Sequence, residues 1–196
     1  MFSFLTTTLA IIGGIALVVL IAFIGAWFRD QERNSFKSEN GLNSCSYGGG
    51  KLLGVNDNEN LIAFQSDSWQ DLKVPADEVE RVELRINGKV VQCLEPQKSS
   101  QIEVVRKFAV DQQNLVVAGI DAEHEPEQLR SLTLAIFSSS LPLGHIHTFW
   151  EHKDKDLKPH GFADGFEYSQ WWLKRIRSLI VGEQDQDVEE FFQAHG

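Results

Sequence analysis

A long uncharged apolar run near the N-terminus constrains this chain more than any other feature. Leu9 to Phe28 contains only apolar side chains and glycine, and no charged residue precedes Arg29. Helical residues rise about 1.5 Å each, so a run of this length covers the roughly 30 Å hydrocarbon core of a bilayer. The run therefore predicts a transmembrane helix, with residues 1–28 as the membrane anchor.

A cleaved signal peptide is the alternative interpretation of such a segment. Signal peptides begin with basic residues and have an apolar region of about 7–15 residues that ends at a small-residue cleavage site. Here no Lys or Arg precedes the apolar run, and the run ends in bulky Trp27 and Phe28. We therefore expect the segment to be retained as an anchor.

The flanking charges predict the orientation of the anchor. Arg29, Arg33 and Lys37 follow the run and no basic residue precedes it. Cytoplasmic flanks carry the excess of Lys and Arg, so the N-terminus is expected outside and the rest of the chain in the cytoplasm. Trp27 and Phe28 would then lie at the cytoplasmic headgroup level, which aromatic rings favour.

Small residues recur within the predicted membrane helix. Ala10 and Gly14, and again Ala22 and Ala26, are four positions apart. Such spacing lets two membrane helices approach closely, so these four residues are candidates for packing against an integral membrane partner or a second copy of the chain. Gly and Ala are also common in membrane helices, and chance is the alternative explanation.

The composition of the remaining chain predicts one soluble domain. The polar, non-periodic residues 29–40 are expected to form a juxtamembrane linker, residues 41–182 the domain, and residues 183–196 an acidic tail.

With 18 basic and 28 acidic residues, the chain lacks the basic excess that nucleic-acid binding requires. The same balance argues against anionic lipid headgroups as the main ligand.

The cysteines bear on the compartment. Cys45 and Cys93 have neither CxxC spacing nor further cysteines for a zinc site. Two free thiols in a reducing compartment are expected, whereas one disulfide would indicate a periplasmic domain.

The domain is expected to be mainly β with one closing helix. Val82, Leu84 and Ile86 alternate with polar residues, and Asn87-Gly88 then favours a two-residue turn into a second strand at Lys89 to Leu94. Further short strands are expected in segments 44–55, 61–64, 71–74, 102–108, 115–118, 131–137 and 144–150. From Phe162 the apolar spacing becomes helical and predicts an amphipathic helix that ends near Gly182.

The order of these elements resembles bacterial PH-like domains. The resemblance is carried by Lys51 to Val55 with Asn60 to Phe64, by Leu72 to Leu84 with its Pro-x-x-x-Val turn, and by Leu132 to Phe149 with the closing helix. It implies a curved sheet or barrel capped by a C-terminal amphipathic helix, over about residues 42–181. It implies no catalytic residue, and the basic strand pair that binds phosphoinositides in eukaryotic relatives has no counterpart here.

The histidines are the candidates for metal chemistry. His145 and His147 would project to the same face of a strand, as two imidazole ligands do, and His152 follows. Additional candidate ligands are His160, Glu151, Asp154 and Asp156. No HExxH motif is present, and a strand with one polar face gives the same pattern, so we interpret the pair as strand-surface residues and expect no metal or cofactor.

Adjacent tryptophans on the closing helix are the candidate partner contact. Trp171 and Trp172 project about 100° apart, so only one is expected in the centre of the core. The other is interpreted as a rim residue or a contact to a partner, because exposed Trp is enriched at interfaces.

No nucleophile, phosphate loop or dinucleotide motif is present in the sequence, so a non-enzymatic role is expected. The preferred hypothesis is a single-pass protein of a bacterial inner membrane that serves as an accessory or scaffold subunit of a larger membrane complex. One alternative is a self-associating structural or sensory membrane protein. The other is a metal-dependent enzyme built on the histidines.

Overall fold

The structure is a computed structural model that describes residues 2–49, 51–65, 71–111, 113–114, 116–120, 125–152 and 161–182. Its elements in chain order are α1 Phe2–Glu39, β1 Ser44–Gly48, β2 Lys51–Asn56, β3 Leu61–Gln65, β4 Asp71–Pro75, β5 Val79–Ile86, β6 Lys89–Leu94, β7 Glu103–Val104, β8 Phe108–Asp111, β9 Val116–Gly119, β10 Glu127–Gln128, β11 Ser131–Ser138, β12 Leu141–Glu151 and α2 Phe162–Val181. One 3-10 turn, Ala76–Glu78, joins β4 to β5.

The N-terminal helix α1 is long and apolar enough to cross a membrane. Its large apolar side chains from Ile11 to Phe28 are 42–70% exposed, so the other described residues do not cover them. The predicted juxtamembrane linker is not a separate connector, because α1 continues through it to Glu39. Neither Pro nor Gly interrupts the chain between Phe28 and Glu39, so nothing local stops the helix there.

The strands form three antiparallel sheets. The four-stranded sheet has the order β1-β2-β3-β4, the five-stranded sheet β12-β11-β5-β6-β7, and the three-stranded sheet β10-β9-β8. The prediction of a mainly β domain with a C-terminal helix is confirmed, whereas the sheets do not close into a barrel within the described ranges.

The hairpin predicted around Asn87-Gly88 is confirmed. Ile86 pairs with Lys89 across the two turn residues, and Asn87 and Gly88 adopt φ angles of 52° and 77°. Positive φ at both positions defines the turn whose twist matches that of the flanking strands. The predicted strand 102–108 is instead broken after β7, where the N–H groups of Val105 and Arg106 both donate to the carbonyl of Val91.

One core fills the space between the two larger sheets and α2. Residues from β2, β3, β4, β5, β6, β11 and α2 belong to the same buried cluster. Helix α2 contributes a continuous stripe to it that includes Trp172, Leu173 and Ile176, each with no exposed surface. The helix ends as predicted, with Gly182 in the left-handed conformation donating its N–H to the carbonyl of Ser178.

The stability of the domain should depend on this stripe. Replacing Ile176 with Ala should lower the free energy of unfolding by about 2–5 kcal/mol, because the change leaves a cavity in the core. Glu167 is exposed on the same helix, so Glu167→Ala should change it by about 0.5 kcal/mol or less. Urea unfolding of the full-length protein in detergent micelles, followed by tryptophan fluorescence, measures both. Equal stability of the two variants would contradict the packing of α2.

Candidate functional site

The first region of interest is the end of α1, where the apolar helix meets the β domain. The N–H of Leu42 donates to the carbonyl of Lys37 (2.9 Å) and the N–H of Gly41 to the carbonyl of Ser38 (3.4 Å). Gly41 has a φ of 61°. This pair of hydrogen bonds, with a left-handed glycine between them, is a Schellman cap. The cap reverses the chain sharply and directs it into β1.

An apolar contact accompanies the cap. Phe36 and Leu42, from the two sides of the reversal, are 4% and 5% exposed and pack in one cluster on the outer face of the four-stranded sheet. The sheet contributes Leu52, Leu61 and Ala63 to this cluster. A Cβ atom at Gly54 would overlap Leu42 Cδ1, so the glycine provides the space into which Leu42 fits. We call this region, with Phe36, Asn40, Leu42 and Gly54, the helix junction.

Buried amides complete the helix junction. Asn40 is 4% exposed, and its Nδ2 donates to the carbonyl of Phe36 (3.0 Å) and to Oδ2 of Asp71 (2.9 Å). The Nδ2 of Asn56 in turn donates to the carbonyl of Asn40 (3.0 Å). Buried polar groups that are fully bonded hold one geometry, because any displacement leaves donors unpaired. The junction therefore joins α1 to the domain through buried hydrogen bonds as well as through the chain itself.

The second region is formed by the histidines of β12. His145 and His147 are 7% and 0% exposed, whereas Ile146 between them is 48% exposed. The interpretation of the two histidines as strand-surface residues is therefore wrong. In the register of the sheet His147 lies opposite Leu134 and His145 opposite Ile136. Those positions face the core. In β12 the histidines therefore point inward and Ile146 points outward, which is the reverse of the expected arrangement.

The histidines lie where β12 meets the four-stranded sheet. The His145 ring stacks on Phe64 with a centroid distance of 4.2 Å, and Nε2 of His147 is 3.1 Å from Oγ of Ser46. A Cβ atom at Gly48 would overlap the carbonyl oxygen of Thr148, so only glycine allows this approach of β1 to β12. We call this region, with Ser46, Gly48, Phe64, His145 and His147, the histidine seam.

The seam keeps His147 neutral. Burial lowers the pKa of His147 to about 3, and the nearby charges of His145 and Lys51 act in the same direction. Removing a charged imidazolium from water is unfavourable, so the neutral ring is the stable form at physiological pH. A buried neutral imidazole hydrogen-bonded to a buried hydroxyl is a packing element that joins two sheets.

Of the remaining metal candidates, the structure describes His152 and Glu151, and neither forms a metal-binding group with the seam. His152 follows β12 and stacks on Trp150, with ring centroids 6.0 Å apart. His160, Asp154 and Asp156 lie outside the described residues. In the part of the chain that the structure describes, no group of three or more His, Cys, Asp or Glu side chains could hold a metal ion.

Both tryptophans of α2 are buried, which corrects the expectation that only one lies in the core. Trp171 is 6% exposed and Trp172 is fully buried, and their rings meet edge to face at 5.2 Å. Helix α2 contacts β5, β11, β12 and the 3-10 turn Ala76–Glu78. Because the helix is enclosed from several directions, two neighbouring faces of it are buried. Neither ring is therefore exposed to a partner in this structure.

The small residues of the membrane helix are located as expected in α1. Gly14, Ala22 and Ala26 are exposed, and a Cβ atom added at Gly14 would have no neighbour within 4 Å. Ala10 belongs to the same helix. Their role in helix packing stays a prediction.

Both cysteines are free and lie on different sheets. Cys45 packs in the helix junction cluster, where burial raises the pKa of its thiol to about 11 and the charges of Arg33 and Lys37 oppose the effect. Cys93 pairs with Glu83 on the outer face of the five-stranded sheet, and burial followed by the charges of Glu95 and Glu83 raises its pKa. The core between the sheets separates the two thiols.

Comparison of the chain with protein-family models, with curated proteins and with solved structures finds no match. The sequence reasoning missed the helix junction, although two signals for it were present. Asn40-Gly41 is a helix-ending pair, and Phe36 is an isolated aromatic residue in an otherwise polar segment.

The helix junction should contribute strongly to the stability of the domain. Phe36→Ala should lower the free energy of unfolding by about 3–5 kcal/mol, because it removes a buried ring from the outer face of the sheet. Asn34 is exposed two positions earlier on the same helix, so Asn34→Ala should have an effect within about 0.5 kcal/mol. Urea unfolding of both full-length variants in micelles provides the test, and an unaffected Phe36→Ala variant would show that the linker is independent of the domain.

Protonation of His147 should destabilise the fold. The unfolded chain takes up this proton near pH 6.5 and the folded chain only near pH 3, so the stability present above pH 6.5 is lost as the pH falls. The loss should reach about 2 kcal/mol between pH 7.5 and pH 5. The glutamine of a His147→Gln variant cannot be protonated, so this variant should lack the pH-dependent loss of unfolding free energy that His147 causes. Urea unfolding across that range measures both slopes, and identical slopes would contradict the burial of a neutral imidazole.

Proposed function

We propose that this chain is a non-catalytic, membrane-anchored interaction module that serves as an accessory or scaffold subunit of a larger membrane protein complex. One observation carries the proposal. The large apolar side chains of α1 from Ile11 to Phe28 are exposed, while the polar end of the same helix packs on the β domain through Phe36. Lipid or the helices of a membrane partner can cover such a surface. Either environment keeps the apolar side chains out of contact with water.

The orientation proposed for the anchor places the N-terminus outside and the β domain in the cytoplasm of a bacterial cell. Arg29, Arg33 and Lys37 follow the apolar run and support this orientation, since basic residues remain on the cytoplasmic side. The two free thiols agree with a reducing compartment.

The domain is proposed to be PH-like. Support comes from the order of its elements, in which a four-stranded antiparallel sheet is followed by a second antiparallel sheet and then by the amphipathic helix α2. Likeness of fold does not transfer an activity, so the functional proposal does not depend on it.

A non-catalytic role is supported by the position of the histidines. The two imidazoles that would serve a metal enzyme pack beneath Phe64 and against Ser46 in the core. A catalytic group must reach its substrate, and these side chains have almost no exposed surface. They act instead as part of the packing between two sheets.

The proposal predicts a partner that depends on the membrane helix. The full-length protein with a C-terminal fluorescent protein, expressed in its own host, should fluoresce because the C-terminus is cytoplasmic. Capture through this tag in mild detergent should recover at least one integral membrane protein. A control variant in which residues 9–28 are replaced by leucine should remain in the membrane and fluoresce, but should lose the partner, because leucine provides no close helix approach.

The outcomes separate the alternatives. Recovery of the partner by the leucine variant would contradict binding through the membrane helix. Recovery of only further copies of the chain would favour the self-associating protein. A membrane-inserted fusion that does not fluoresce would overturn the orientation.

A further inference from the structure

We draw no further inference here: the strongest candidate, the exposed apolar surface patch at Val104, Val105 and Ile120, where β7 and β9 end, carries no proposal because nothing in the described part of the chain shows what covers it.

Discussion

The burial of Phe36 and Leu42 against the outer face of the four-stranded sheet is the contact on which the rest of the structure depends. It packs the end of an apolar helix on a β domain, and the Schellman cap and the amide of Asn40 add hydrogen bonds to this contact. Gly54 is needed for the contact, since any side chain there would displace Leu42. A flexible linker would leave the domain free to sample all orientations above the membrane, whereas this junction selects one.

The two larger sheets are joined to each other by a second contact, the histidine seam. At the histidine seam, glycine on β1 admits the backbone of β12, and an imidazole that burial keeps neutral bonds to the hydroxyl of Ser46. Nε2 of His147 and Oγ of Ser46 lie in a medium of low dielectric constant, where a hydrogen bond is strong and a charge is unfavourable. The same residues that resemble a metal site in sequence therefore act as a packing element between two sheets.

Local features of the sequence predicted the elements that depend on near neighbours. The Asn87-Gly88 hairpin, the end of α2 at Gly182 and the apolar helix were all expected, because turn residues, helix caps and apolar runs act within a few positions of the chain. The packing of segment 29–40 on the domain was missed because its buried residues, Phe36 and Asn40, are covered by strands that come later in the chain. The alternating pattern of β12 showed that His145 and His147 share one face of the strand. The pattern is the same whichever face is buried, so it did not show that this face points into the core.

The sequence by itself thus determined that the chain has an uncharged span of membrane length, a β-rich domain and one closing amphipathic helix. These follow from composition and periodicity, which are properties of the chain before it folds. Only the tertiary structure decided that the end of α1 packs on the β domain, that the histidines face inward and that both Trp171 and Trp172 are buried. Each of these depends on which surfaces meet, and a surface is covered or exposed only once distant segments have packed against it.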